Sequence, residues 1–306
     1  MKTIRWGIIG CGDVTEIKSG PGLYKTTHSQ LVAVMRRNGV LAADFARRHG
    51  VPRWHDDADA IIRAPDIDAV YVATAPDSHR EYVLRCAAAG KPVLVEKPMA
   101  MDRSQCDEMI AACAAGGVPL WVAYYRRALP RFLAVRDLVQ SGVIGPVRMV
   151  LSRQFQTLRA PEDMNPGSPP WRIDAARSGG GLFVDMVSHT LDFLDYVFGP
   201  IETVRALAGN QAGAYRPEDV VTASYRFATG VYGSGAFCYA GDRDEEWNEI
   251  VGAQGRIRFS TTKATPIRVM CGDAVEEIPV DDPPHVHQPL IQSIVDEVLR
   301  DYRNAG

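Results

Sequence analysis

Short apolar runs and stretches of helical periodicity alternate from the first residues onward. Ile4–Ile9 reads as a buried strand running into glycines, and Gln30–Met35 as a second strand; Asp44–His49 lies in a helical stretch. Ala69–Ala73 is a third apolar run, followed by helical Glu81–Ala89, a short strand at Pro92–Val95, an alanine-rich helix over Ser104–Ala115, and a strand at Pro119–Ala123. Strand–helix repetition at this spacing predicts parallel strands joined by right-handed crossovers, a doubly wound α/β sheet of the Rossmann type.

Beyond about residue 125 the texture changes. Pro130–Gly142 is helical, Val147–Thr157 reads as a longer strand, and Leu158–Pro170, with four prolines, reads as a loop. Phe183–Phe198 carries a helical apolar stripe. The runs Thr203–Ala208, Val220–Phe227, Val231–Tyr239, Glu249–Val251, Arg256–Ser260 and Ile267–Cys271 are rich in Val, Tyr, Phe and Thr, with Gly and Asp between them at hairpin spacing. They predict an open, mainly antiparallel sheet. Gln288–Tyr302 closes the chain as an amphipathic helix. The expected division is a dinucleotide-binding domain over 1–122 and a substrate-binding and oligomerisation domain over 123–306.

Composition narrows the function classes. The chain has 306 residues, enough for two ordinary cores, and a net charge of −3, which offers no attraction to nucleic acid or anionic lipid. No apolar run reaches the length of a membrane span, and no signal-peptide pattern opens the sequence. The six cysteines form no Cys-x-x-Cys pair and do not cluster with histidines, so no metal site is expected and reduced thiols in a cytoplasmic protein are.

Candidate chemistry begins at the first strand's end. In Gly7-Ile8-Ile9-Gly10-Cys11-Gly12-Asp13-Val14-Thr15, Gly10 and Gly12 allow a tight turn and let backbone N–H groups approach a pyrophosphate. The third glycine of the dinucleotide fingerprint is replaced by Thr15. Where an acidic residue would accept from the free ribose of NAD, the second strand ends in Arg36 and Arg37, whose guanidiniums suit the 2′-phosphate of NADP. NADP is therefore favoured, with NAD possible; the alternative is an exposed basic strand end.

Two further groups suit acid–base work. Glu96-Lys97-Pro98 follows a parallel strand, at the edge where open α/β sheets bind ligands, and Lys97 there can hydrogen-bond a substrate oxygen. Asp185 and His189, spaced i,i+4 after Gly179-Gly180-Gly181, share one helix face and form an acid–base pair; a solvated pair on a helix surface is the alternative. Trp171 and Arg172 can wall and grip a substrate, or simply anchor the preceding loop.

In this order the pieces resemble one family, the glucose–fructose oxidoreductase / inositol dehydrogenase / MocA (Gfo/Idh/MocA) oxidoreductases. The resemblance rests on Gly7–Gly12, on Ala73-Thr74-Ala75-Pro76-Asp77-Ser78-His79, on Glu96-Lys97-Pro98, and on the glycine-led helix with Asp185, His189 and Asp192. It implies that Lys97 is the active-site lysine, that Asp185 and His189 bind substrate and transfer the proton, and that Glu96 with Thr74, Pro76 and His79 lines the nicotinamide half of the cofactor. It places Arg37 against the adenine and Arg36 at the ribose-discriminating position. It also implies a sugar-like substrate and homodimeric or homotetrameric assembly. The placement of Trp171-Arg172 before Asp185 is similar to the 1,5-anhydrofructose reductase branch. Tyr125-Arg126-Arg127 departs from the Asn-x-Arg of many relatives, and relatives continue past the final helix with a segment returning to the Rossmann domain. The expectation is an NADP-preferring dehydrogenase or reductase acting on CH–OH groups, with Lys97, Trp171, Arg172, Asp185 and His189 around one cleft. A non-catalytic nucleotide sensor and a nicotinamide-dependent glycosidase remain alternatives on the same scaffold.

Overall fold

A computed structural model describes residues 2–158 and 170–304, with side chains as far as Arg300. The chain divides into two units, one made of the residues up to Ala128 together with those from Pro283 onward, the other of Leu129–Asp282. Of the loop expected over Leu158–Pro170, residues 159–169 lie outside the described residues.

The first unit is built on six parallel strands, β1 (Ile4–Ile9), β2 (Ser29–Met35), β3 (Arg53–His55), β4 (Ala69–Val72), β5 (Val93–Val95) and β6 (Leu120–Val122). Their spatial order is β3-β2-β1-β4-β5-β6, the doubly wound arrangement in which the order reverses between β1 and β4. Burial on both faces explains the nearly continuous apolar runs of β1 and β4. The polar edge strand β3, only three residues long, lacks that signal and is not legible in the sequence. At the carboxyl edge, Gly10 and Cys11 donate from their backbone N–H groups to Met35 O, Ala73 to Ile9 O, and Glu96 to Val72 O. The ends of four neighbouring strands are thereby tied together where ligands bind in such sheets.

The domain boundary expected from sequence needs correcting. The break falls after Ala128, and the final helix, Gln288–Asn304, belongs to the first unit. The reason is its apolar stripe: Ile291, Ile294, Val295 and Leu299 are buried in the same core as Ile4, Trp6, Ile8 and Leu23. A close approach makes this possible, since a Cβ on Gly22 would stand 2.7 Å from Ile291 Cδ1 and 3.3 Å from the backbone of Gln288.

The second unit holds eight strands, β7 (Val147–Thr157), β8 (Ile201–Gly209), β9 (Val220–Phe227), β10 (Tyr232–Gly241), β11 (Glu245–Gly252), β12 (Arg256–Phe259), β13 (Ile267–Cys271) and β14 (Ala274–Ile278). They run in the order β14-β13-β12-β11-β7-β10-β9-β8. All neighbours are antiparallel except β7 and β10, which pair in parallel because β8 and β9 form outside β10 before the chain returns beside β7. Side chains along β7 and β10 alternate between buried and half-exposed, so one face of the sheet is covered and the other open. On the covered side Leu182 and Val187 of the helix Leu182–Phe198 pack with Val221, Phe237 and Tyr239. Strand β14 escapes a sequence reading because its residues are almost all exposed; a two-residue Gly272-Asp273 turn, with Gly272 at φ +58°, folds it back on β13. All six cysteines are unpaired. Among the described residues no helix is long and apolar enough to cross a membrane.

Candidate active site

The glycine-rich turn takes its shape from steric necessity. Gly10 sits at φ +94°, and a Cβ there would meet Thr74 Cγ2 at 2.6 Å, Thr74 N at 2.9 Å and Ala73 C at 3.0 Å. Only glycine lets the β1 turn lie against the loop after β4. Gly12 is different. Its backbone is extended, it caps the helix Asp13–Ile17, and a Cβ would find only Gly10 O, 4.0 Å away. The protein leaves open space at Gly12, the cradle a dinucleotide phosphate requires. Thr15, standing at the missing third glycine, is buried and donates from Oγ1 to Gly12 O at 2.7 Å, which fixes the turn. Asp13 is exposed and Val14 half-buried beside it.

At the end of β2, Arg36 is half-buried with Nη1 3.5 Å from Cys11 O, and Arg37 is exposed. Among the described residues neither guanidinium is paired with a carboxylate. Arg36, an uncompensated cation beside the glycine turn, with exposed Arg37 next to it in the chain, fits an anionic group on a ribose.

The Glu96–Met99 turn is held from inside the protein. Glu96 is buried; its Oε1 accepts from Tyr71 Oη at 2.5 Å and from His287 Nε2 at 3.1 Å, and its Oε2 accepts from the Lys97 N–H at 3.1 Å. Burial pushes the Glu96 carboxyl up, but the hydrogen bonds from His287 and Tyr71 outweigh it and hold the group below the usual carboxylate range. The Lys97–Pro98 peptide is cis, and Lys97 itself is half-buried. On the other flank His79 is fully buried, its Nδ1 3.0 Å from Pro98 O and 3.2 Å from Met99 O, its Nε2 2.9 Å from Thr74 O. Burial lowers the His79 pKa against the pull of these carbonyls. Pro76 is buried as well, while Thr74 is half-exposed and accepts from Ser78 Oγ at 2.8 Å. Glu96 and His79, expected to line the cofactor, therefore face protein: they brace the turns that Thr74 and Lys97 occupy.

In the second unit Asp185 and His189 lie on the helix Leu182–Phe198 with residue exposures of only 4% and 5%. A solvated surface pair is thus excluded. The Asp185 carboxylate accepts from Arg172 Nε at 3.0 Å, and the same guanidinium lies 4.5 Å from the Trp171 ring centroid. Trp171 and Arg172 are consequently tied to the Asp185 side of the helix. Burial, with the Asp185 charge second, raises the pKa of the nearby Tyr239 hydroxyl. Of the three glycines before the helix, Gly179 caps the short helix Ala175–Ser178 at φ +78°, and the other two serve close packing within the unit. A Cβ on Gly180 would strike Val184 Cγ2 at 2.4 Å, and one on Gly181 would strike Pro217 Cβ at 2.7 Å.

Sequence reasoning missed Tyr71 and His287. Tyr71 carries a local signal, a phenol inside a strand buried on both faces, which must find a partner. His287 carries none, because it stands 191 residues from Glu96.

A switch-point glycine turn, arginines at the end of β2 without a carboxylate partner among the described residues, and a strand-end lysine suit a nicotinamide-dependent oxidoreductase. Residues 4–124 match the oxidoreductase family with an NAD-binding Rossmann fold, and residues 132–258 match the GFO/IDH/MocA C-terminal domain. The chain belongs to the Gfo/Idh/MocA family of NAD(P)-binding oxidoreductases. Oxidoreductase P35 of Formosa agariphila is 38% identical over 296 residues, 95% of this chain and 90% of that protein. The 1,5-anhydro-D-fructose reductase of Ensifer adhaerens is 30% identical over 255 residues, 83% of this chain and 74% of that one. Among solved structures, aldose-aldose oxidoreductase from Caulobacter crescentus, complexed with glycerol, superposes with a TM-score of 0.85 at 26% identity, covering 98% of this chain and 90% of that one.

Proposed function

We propose that this enzyme interconverts a sugar, polyol or related hydroxy compound and its carbonyl form, with NADP(H) preferred over NAD(H). The observation that carries the reading is the buried Asp185–His189 helix face with Arg172 bonded to Asp185. A nucleotide sensor has no use for an acid–base pair kept out of water. Gly10, Gly12, Asp13 and Val14 would hold the pyrophosphate, Arg36 and Arg37 the 2′-phosphate and adenine, and the Thr74–Pro76 turn with Lys97 the nicotinamide end. The bound nicotinamide supplies or accepts the hydride. Lys97 orients the substrate oxygen by hydrogen bonding, His189 carries the hydroxyl proton, and Asp185, itself fixed by Arg172, orients the imidazole. Trp171 offers an apolar face to a sugar ring.

The activities of the relatives, a 1,5-anhydro-D-fructose reductase and an aldose-aldose oxidoreductase, support a carbohydrate-like substrate. The second unit would carry substrate binding and self-association. Its open sheet face and the edge strand β8, with Val204 and Leu207 exposed, suit a homodimer or homotetramer. Unpaired cysteines suit a cytoplasmic setting. The test is a panel of sugars, inositols, anhydro-ketoses and dihydrodiols assayed by NADPH and NADH absorbance. Net turnover with one class is expected; nucleotide binding without turnover on any of them would overturn the reading.

A further inference from the structure

The segment before the final helix reaches into the first unit and ends under the lysine turn. His285 Nδ1 lies 2.7 Å from Ile17 O, the His287 N–H donates to Lys18 O at 3.2 Å, and the helix that follows buries its apolar stripe in the core. His287 is delivered to a site with almost no solvent access. Its ring lies 4.2 Å from that of Tyr125, tilted by 37°.

The choice of histidine there has a cost. An apolar residue of similar volume would pack equally well against Tyr125, whereas imidazole brings two polar nitrogens into a dry place. Among the described residues only Nε2 finds a hydrogen-bond partner, and Nδ1 has none. One bond has to justify the residue, and that bond ends on the carboxylate whose other oxygen accepts the Lys97 N–H.

We propose that His287 is a positioning residue for Lys97: by donating from Nε2 to Glu96 it fixes the carboxylate that holds the Lys97 backbone, and so sets where the lysine presents its ammonium. The groups facing Glu96 are Tyr71 from β4, Lys97 on its own turn and His287 from the C-terminal arm. His79 and Tyr125 stand beside this network. With three donors on one buried carboxylate, losing a single donor leaves the group under-satisfied, and the turn must shift to recover a partner. The C-terminal arm thereby becomes part of the active-site support rather than a mere cap on the core. This inference rests on Lys97 being the lysine of the reaction.

The test compares His287→Gln, whose amide nitrogen reaches about as far as Nε2, with His287→Asn, whose amide does not. Two readouts are taken on the full chain. One is turnover of 1,5-anhydro-D-fructose with NADPH, alongside NADPH affinity. The other, without substrate or cofactor, is the carbon-13 NMR signal of reductively methylated Lys97, assigned by its loss in Lys97→Arg. Asn should lower kcat by about 10–10², the scale of a small misplacement of a reacting group. NADPH affinity should stay within about threefold, and the Lys97 signal should move. Gln should restore both readouts to near the wild type. Ile294→Val, in the same helix but outside the network, should lower Tm and leave the Lys97 signal in place. Equal effects of Gln and Asn, or a Lys97 signal unmoved in Asn, would overturn the proposal. Wild-type turnover in Lys97→Ala would instead overturn the role of Lys97, and the Lys97 signal would still decide the coupling to His287.

Discussion

Replacing Gly10 and Gly12 separately by alanine tests whether the glycine turn is shaped for the protein or for a ligand. At Gly10, φ +94° puts an alanine in a backbone region worth about 1–3 kcal/mol of strain. Its Cβ would also overlap the backbone of Ala73 and Thr74 at 2.9–3.0 Å; an overpacked contact of this kind costs about 1–3 kcal/mol. Gly10→Ala should therefore lose about 2–6 kcal/mol in a urea titration and lower Tm by on the order of 10 °C, with nucleotide affinity falling as the turn shifts. At Gly12 the backbone is extended, and apart from its chain neighbours the nearest atom of the described residues to an added Cβ is Gly10 O at 4.0 Å. Gly12→Ala should cost less than about 1 kcal/mol, the modest helix-cap preference of glycine over alanine. Its new methyl would occupy the cradle, so NADPH affinity should fall at least tenfold, about 1.4 kcal/mol or more. Wild-type affinity in Gly12→Ala refutes the placement of the phosphate; wild-type stability in Gly10→Ala refutes the packing of β1 against the loop after β4.

Removing an arginine from the end of β2 should weaken NADP(H) by about ten- to a hundredfold, the value of a charge-assisted bond of about 1.5–3 kcal/mol; titration of both cofactors into Arg36→Asp checks this, and equal wild-type affinities for NAD and NADP would remove its basis. Lys97→Ala and His189→Ala should each reduce kcat by about 10²–10⁴ with cofactor affinity nearly unchanged. The double variant should lose far less than the product of the two, as groups acting on one step do; a fully multiplicative loss would show that they act independently. Because the hydrogen bonds from His287 and Tyr71 outweigh burial and depress the Glu96 carboxyl, the ionised group stabilises the fold above its ordinary value of 4.5. That contribution is lost as pH falls through the lowered folded value. Urea midpoints measured downward from pH 6 should accordingly decline less steeply in Glu96→Gln than in the wild type, and parallel curves would contradict the direction of the shift.

Local chemistry makes some of this molecule legible from its residues alone. Apolar runs of β1, β2 and β4 need burial on both faces, Gly10 and Gly12 mark a turn without Cβ atoms, and Asp185 and His189 share a helix face at i,i+4 whatever surrounds them. Strands β7, β9 and β13 appear with their full extents because buried and more exposed positions alternate along them under a sheet covered on one face. What depends on distant partners does not read out. The last helix follows the second unit in sequence but joins the first, because burying its apolar stripe against Ile4 and Leu23 outweighs proximity along the chain. Glu96 and His79 look like ligand groups in sequence, yet their carboxylate and ring nitrogens are taken up by Tyr71, His287 and main-chain carbonyls. Arg172 reads in the sequence as a group that grips substrate or anchors a loop, and in space it is a partner of Asp185. Hydrogen-bond satisfaction of a buried polar group is a property of its three-dimensional neighbours, and no periodicity along the chain encodes a bond such as the one His287 makes to Glu96.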